Sequence, residues 1–185
     1  MKNQFLLAIF IVIATLIFPQ YTFAQDKASE SSANIQPVLE NKDGYDYRVK
    51  ILHDYLNQYN SPLADYAKDM IDSADKYNLD WRLVAAISGV ESTFGKEIPA
   101  GSYNGWGWGI YGDNVVRFKS WQDGIQTVSQ GLREKYINKW GGNNIYEIGS
   151  VYASSPAWAG HVQHYLNDIQ TFALNDPTNL LPLSL

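Results

Sequence analysis

The chain of 185 residues contains no cysteine. That excludes disulfides, thiol nucleophiles, thiolate metal sites and a lipid-bearing cysteine near the N-terminus. Basic clusters are missing too: 14 Lys and Arg stand against 19 Asp and Glu, for a formal charge of −5. Nothing in the sequence would gather the phosphates of a nucleic acid or hold an anionic membrane surface. Histidine is scarce. His161 and His164 lie one helical turn apart without a third ligand at a characteristic spacing, and His53 stands alone, so neither a metal nor a cofactor is implied. There is no Gly-x-Ser-x-Gly elbow, no phosphate-binding loop, and no glycine fingerprint between a strand and a helix.

The apolar run Phe5 to Phe18, FLLAIFIVIATLIF, follows Lys2 and precedes Pro19 and Thr22-Phe23-Ala24. Its fourteen residues fall short of the roughly 20 that span a bilayer as a helix. A basic start, an apolar middle and small residues before a cut after Ala24 form the layout of a secretory signal peptide. The expectation is a signal over residues 1–24, an extracytoplasmic location (periplasm, cell wall or medium), and no stable membrane insertion after cleavage. The remaining 161 residues carry −6, since Lys2 is the charged residue removed, and are enough for one domain with a real core. Residues 25–44, polar and without aromatics, read as a flexible linker. The folded domain is expected over 45–175, as a monomer, with 176–185 as a tail containing two prolines.

Within that domain the apolar spacing predicts a mainly α fold. Val49, Leu52, Leu56 and Tyr59 mark a helix over 45–59, and Leu63, Tyr66, Ala67, Met70, Ile71 and Ala74 a second over 63–77. Asp80 is placed to cap a third from Trp81 to Ser92. Ser120-Trp121-Gln122-Asp123 resembles a capping box with Asp in place of Glu, opening a helix to Ile137. Two more are expected over 144–152 and 158–174. Between the third and fourth lies FGKEIPAGSYNGWGWGIYG, too rich in glycine for a helix and too aromatic for a tether. It reads as an ordered irregular lobe, with room for a short hairpin.

The third helix, WRLVAAISGV, is apolar on nearly every side yet ends on Glu91. On a helix Glu91 shares a face with Ile87, Val84 and Ser88, while Leu83, Ala86 and Val90 occupy the other, so the segment belongs in a core. Apolar walls and the helix's own C-terminal carbonyls both disfavour an ionised carboxyl there. A carboxylic acid that keeps its proton can give it to a leaving oxygen, as glycosidic cleavage requires. Ion pairing with Lys96 or Arg82 is the competing reading of Glu91. Beside it, Tyr103, Trp106, Trp108 and Tyr111 alternate with glycines. Their flat faces suit the C–H faces of sugar rings, and bare backbone suits hydroxyl and acetamido groups; the competing reading is a second core served by at least one of the tryptophans.

Four ordered segments, ESTFGK, NGWGWGIYG, FKSWQDGIQTVSQGL and VYASSPAWAGHV, together resemble the lysozyme-like peptidoglycan hydrolases. The resemblance is greatest to the glucosaminidase group, glycoside hydrolase family 73, and looser to the soluble lytic transglycosylases. It spans residues 78–169 and implies a lysozyme-like helical domain acting on peptidoglycan glycan strands. By that resemblance Glu91 is the catalytic acid, supported by Ser92, Phe94 and Gly95. Asn104, Trp106 and Gly107 form a turn lining the groove opposite it. Tyr152 faces the carboxyl, with Ala153, Pro156, Trp158 and Ala159 completing its segment. Ser92, Tyr103, Asn104, Trp106, Trp108, Tyr111 and Trp158 are the expected substrate-binding set. A two-carboxylate hydrolase needs a second acid, about 5 Å away for retention or roughly 6.5–9.5 Å for inversion. Glu97 and Asp113 are the candidates, and neither aligns with a family motif. A lytic transglycosylase needs Glu91 alone, and an inactive module binding wall glycan or a partner protein needs no acid.

Overall fold

The computed structural model describes residues 46–109 and 114–176. The expected signal peptide and linker lie outside the described residues, as do Tyr111, Asp113 and the tail beyond Asp176. All described helices belong to one compact unit of the chain.

Asp46 opens the first helix, α1 (Tyr47–Gln58), by accepting the Arg48 backbone N–H at 2.9 Å, which satisfies a donor left free at the helix start. Its buried side is Ile51, Leu52, Tyr55 and Leu56; Val49 and Tyr59, expected on the stripe, are half-buried at its margin. The single helix expected over 63–77 is split into a 3-10 turn, Ala64–Tyr66, and α2 (Ala67–Lys76), because Tyr66 leaves the helical region at φ −104°, ψ 14°. The Arg48 guanidinium ties the start of α1 to Asp75 near the end of α2, at 2.6 Å.

Helix α3 (Leu83–Ser92) buries eight of its ten residues, as a helix without a polar face must. It begins two residues later than the capping pattern predicts. Asp80 still serves the start, its carboxylate accepting the Arg82 N–H at 2.9 Å and its carbonyl the Leu83 N–H at 3.0 Å. Helix α4 (Trp121–Gly131) has Ser120 as its N-cap, the hydroxyl accepting the Asp123 N–H. Asp123 reaches back to the Lys119 N–H at 2.9 Å, one residue beyond the Ser120 N–H that a reciprocal box uses. Beyond Gly131 the chain widens into a π-helical stretch, Leu132–Lys139, where an α-helix was expected to continue to Ile137. Asn144 caps α5 (Ile145–Tyr152), and α6 (Trp158–Asn175) closes the described chain.

Helix α3 packs chiefly along α6, α2 against α4, and α5 against α6, with α1 touching α2 and α6. The fold is mainly α. Among the described residues no β-strand forms, so the lobe between α3 and α4 has no hairpin in its described part. The lobe is held instead by side chains. Trp106 and Phe118 are buried beside Trp121 of α4, so the segment packs on α4 while its start remains attached to the end of α3.

Candidate active site around Glu91

Three consecutive residues after α3 have positive φ: Thr93 at 51°, Phe94 at 58° and Gly95 at 81°. For the two that are not glycine this costs about 1–2 kcal/mol each, so neighbouring contacts must hold the turn. The Ser88 carbonyl accepts the N–H of both Thr93 and Phe94. Ser61 donates its hydroxyl to the Phe94 carbonyl at 2.7 Å, and the Phe94 ring is fully buried among Tyr55, Tyr59 and Tyr165. Ser92 accepts the Gly95 N–H at 2.9 Å and donates to the Gly105 carbonyl at 2.7 Å, fastening the helix end to the lobe. The chain thus reverses immediately beyond Glu91. Backbone held this way is a recurring property of functional sites.

Glu91 is half-buried. Its Oε1 accepts the Trp158 Nε1–H at 2.7 Å. On the other side lies Gly107, at φ +60°; a β-carbon there would stand 2.6 Å from Glu91 Oε2, so the carboxyl rests on backbone that lacks a side chain. Burial pushes the carboxyl above its usual value, and the indole N–H, which favours the anion, opposes that in part. Neither cation weighed as a partner reaches it. Lys96 donates to the Tyr59 carbonyl at 2.9 Å, and Arg82 is held by Asp80 and Gln170.

Tyr152, the last residue of α5, donates its hydroxyl to the Trp106 carbonyl at 2.7 Å. That carbonyl belongs to the peptide joining Trp106 to Gly107, so phenol and carboxyl meet the same short piece of backbone. Burial raises the phenol well above its ordinary value, and the nearby Glu91 charge adds to this. Tyr152 therefore stays protonated. Its ring stacks on Trp158 at 4.7 Å and 20°, and lies 6.0 Å from the Trp108 ring.

The substrate-binding set divides. Trp108 and Gly107 are partly exposed beside the acid, and Tyr103 is 39% exposed with its ring edge-on to Trp121. Trp106 is 0% exposed and donates its indole N–H to the Val84 carbonyl at 3.0 Å; this corrects the expectation of a groove wall, because α4 and Phe118 enclose the ring. Asn104 is also buried. Its amide donates to the Trp108 and Val116 carbonyls and accepts the Trp108 N–H at 3.0 Å, so it braces the lobe and has no group left for a sugar. Ser92 is likewise buried and engaged. Trp158, expected as a binding surface, is 4% exposed and acts on the acid directly. Glu97 is exposed, with its backbone N–H bonded to the Ser92 carbonyl.

Ala153, Ser154, Ser155 and Pro156, with Tyr146, Gly149, Ser150 and Ala159, line an open depression of about 350 Å³. The histidines take no part: His161 and His164 are exposed on α6, and His53 pairs with Asp54. Among the described residues no group of three or more acidic or histidine side chains is gathered as for a metal ion, and no helix is long and apolar enough to cross a membrane.

Sequence reasoning passed over Tyr136 and Trp140. Tyr136 lies 5.3 Å from Tyr152 and 5.8 Å from Trp108, and Trp140 stands edge-on to Tyr136 at 5.0 Å. Their spacing of four was a usable signal, as was Gly131, where a β-carbon would come within 2.4 Å of the Trp108 ring. No family model matches the chain, and no curated protein matches it.

Proposed function

We propose that this protein is a secreted glycosidase that cuts the β-1,4 glycan backbone of peptidoglycan, of the endo-β-N-acetylglucosaminidase type on a lysozyme-like helical domain, with Glu91 as general acid. One observation carries the reading: a half-buried carboxyl, biased toward its protonated form, is aimed by an indole N–H and rests on glycine backbone beside partly exposed aromatic rings. An acid with a raised pKa is what protonation of a glycosidic oxygen demands near neutral pH. Glu91 gives its proton to the leaving oxygen as the C–O bond breaks, and positive charge develops at the anomeric carbon; water then bonds to that carbon and returns a proton to the Glu91 carboxylate. Tyr152, whose proton is committed to the Trp106 carbonyl, offers its oxygen lone pairs to that charge or to a sugar hydroxyl. Trp108 and Tyr103 supply apolar faces for neighbouring sugars.

A second reading needs no further acid: of the two candidate second carboxylates, Glu97 is exposed and adds nothing to the Glu91 shift, which comes from burial and the Trp158 bond, and Asp113 lies outside the described residues. A like charge as close as a retaining pair requires would raise it further. In a lytic transglycosylase Glu91 acts twice: it protonates the leaving oxygen, then takes the proton from a hydroxyl of the same sugar as that oxygen closes on the anomeric carbon. The product is an anhydro end, and water is not consumed. Mass spectrometry of fragments released from purified peptidoglycan tests both. New reducing ends identify a hydrolase and the sugar it cuts, and anhydro ends identify the lytic route. Binding to the wall without release of fragments overturns both and leaves an inactive glycan-binding module.

A further inference from the structure

Trp140 is 49% exposed, so about half of the side chain is open to a ligand. Its backbone is fixed. It closes the π-helical stretch, its N–H bonded to the Ile137 and Lys135 carbonyls, and π-helical turns are rare and concentrate at functional sites. The ring ends an aromatic row that starts at the acid. Trp158, bonded to Glu91, stacks on Tyr152 at 4.7 Å; Tyr152 is 5.3 Å from Tyr136; Tyr136 is 5.0 Å from Trp140. Exposure grows along it, from 4% at Trp158 to 49% at Trp140. These are ordinary ring-contact distances, so the four side chains form one packed layer that runs from the Glu91 partner to the surface at Trp140.

We propose that Trp140 is a sugar-binding platform at a distal subsite, taking an N-acetylated amino sugar two or three units away from the bond cleaved at Glu91. The assignment rests on the glycan-cleaving reading and deepens it. An indole with an open apolar face offers a pyranose the same stacking that aromatic rings offer one another. The row's continuity with Glu91 argues for a further unit of the same strand as occupant. Trp140 therefore sets the chain length that the protein prefers and takes no part in bond cleavage.

The test uses binding in the Glu91→Gln background, where ligand is not consumed. Calorimetry with β-1,4-linked N-acetylglucosamine hexamer and dimer is run on E91Q, E91Q/W140A and E91Q/W140F, with thermal melts as the folding control. E91Q is expected to bind the hexamer about tenfold or more tightly than the dimer. W140A should abolish most of that gain, and W140F should restore a good part of it. Equal hexamer affinity in E91Q and E91Q/W140A overturns the platform. Failure of E91Q to bind either oligomer overturns the platform and withdraws support from the glycan reading as well. Wall digestion by the native protein is measured in parallel: a W140A effect on binding with no digestion keeps the platform and removes the catalytic assignment.

Discussion

At the residue scale, Glu91 is governed by two opposed influences, burial raising its proton affinity and the Trp158 N–H lowering it. Removing the second should leave the first. In Trp158→Phe the carboxyl holds its proton to higher pH, so the alkaline limb of the pH–rate profile moves upward; an unmoved or lowered limb contradicts the role given to the indole. The same shift has a consequence for stability. The native carboxyl binds its proton more tightly than an unfolded Glu, so the native state carries more protons between the ordinary value of 4.5 and the raised one. Stability from this group is complete below the unfolded value and falls as pH rises through the native one. Glu91→Gln cannot ionise. Relative to that variant, the wild-type melting temperature should fall as pH rises above the ordinary carboxyl value of 4.5, and a difference that stays constant as pH rises argues against a raised Glu91. The acid itself was legible in the sequence, because an apolar helix that ends on a carboxylate is a local conflict. Its partner was not: Trp158 lies 67 residues away, and no spacing rule connects them.

At the scale of elements, helix positions followed from apolar periodicity because the buried stripes of α1, α2 and α4 obey it, and α3 because it is apolar throughout. Two features escaped. The π-helical stretch begins after Gly131, where α4 packs against the Trp108 ring, and LREKYINK has too few apolar positions, Leu132, Tyr136 and Ile137, to tell a π period from an α one. The glycine-aromatic lobe has no period at all, so nothing local distinguishes Trp106, which enters the core, from Trp108, which stays at the rim. Gly131 offers a test of this packing. Gly→Ala within a helix ordinarily gains up to about 1 kcal/mol. Here the added methyl would stand 2.4 Å from Trp108, and overpacking of that kind costs about 1–3 kcal/mol. Gly131→Ala should therefore lower the melting temperature and alter the near-UV circular dichroism of the tryptophans; a stabilised variant with an unchanged spectrum would show the seat to be loose.

At the scale of the whole molecule, one buried aromatic layer joins the lobe to the helices, and a partly open one leads away from the acid. The two should respond oppositely to truncation. Trp106→Ala removes a 0% exposed ring and its bond to Val84, for a loss of about 3–5 kcal/mol. Trp140→Ala removes a ring that is half in water and should cost far less, as surface substitutions do. Chemical denaturation of both variants checks the ordering, and equal losses would mean that Trp140 belongs to the core.

The central claim concerns the proton on Glu91, and purified peptidoglycan tests it most directly. The rate of soluble fragment release is measured for the native protein and for Glu91→Gln, with melting curves to establish that both are folded. The account predicts release by the native protein and a loss of at least about a thousandfold in the variant, within the range seen when an acid–base group and its electrostatic role are lost together. Release by folded Glu91→Gln at the native rate would contradict it.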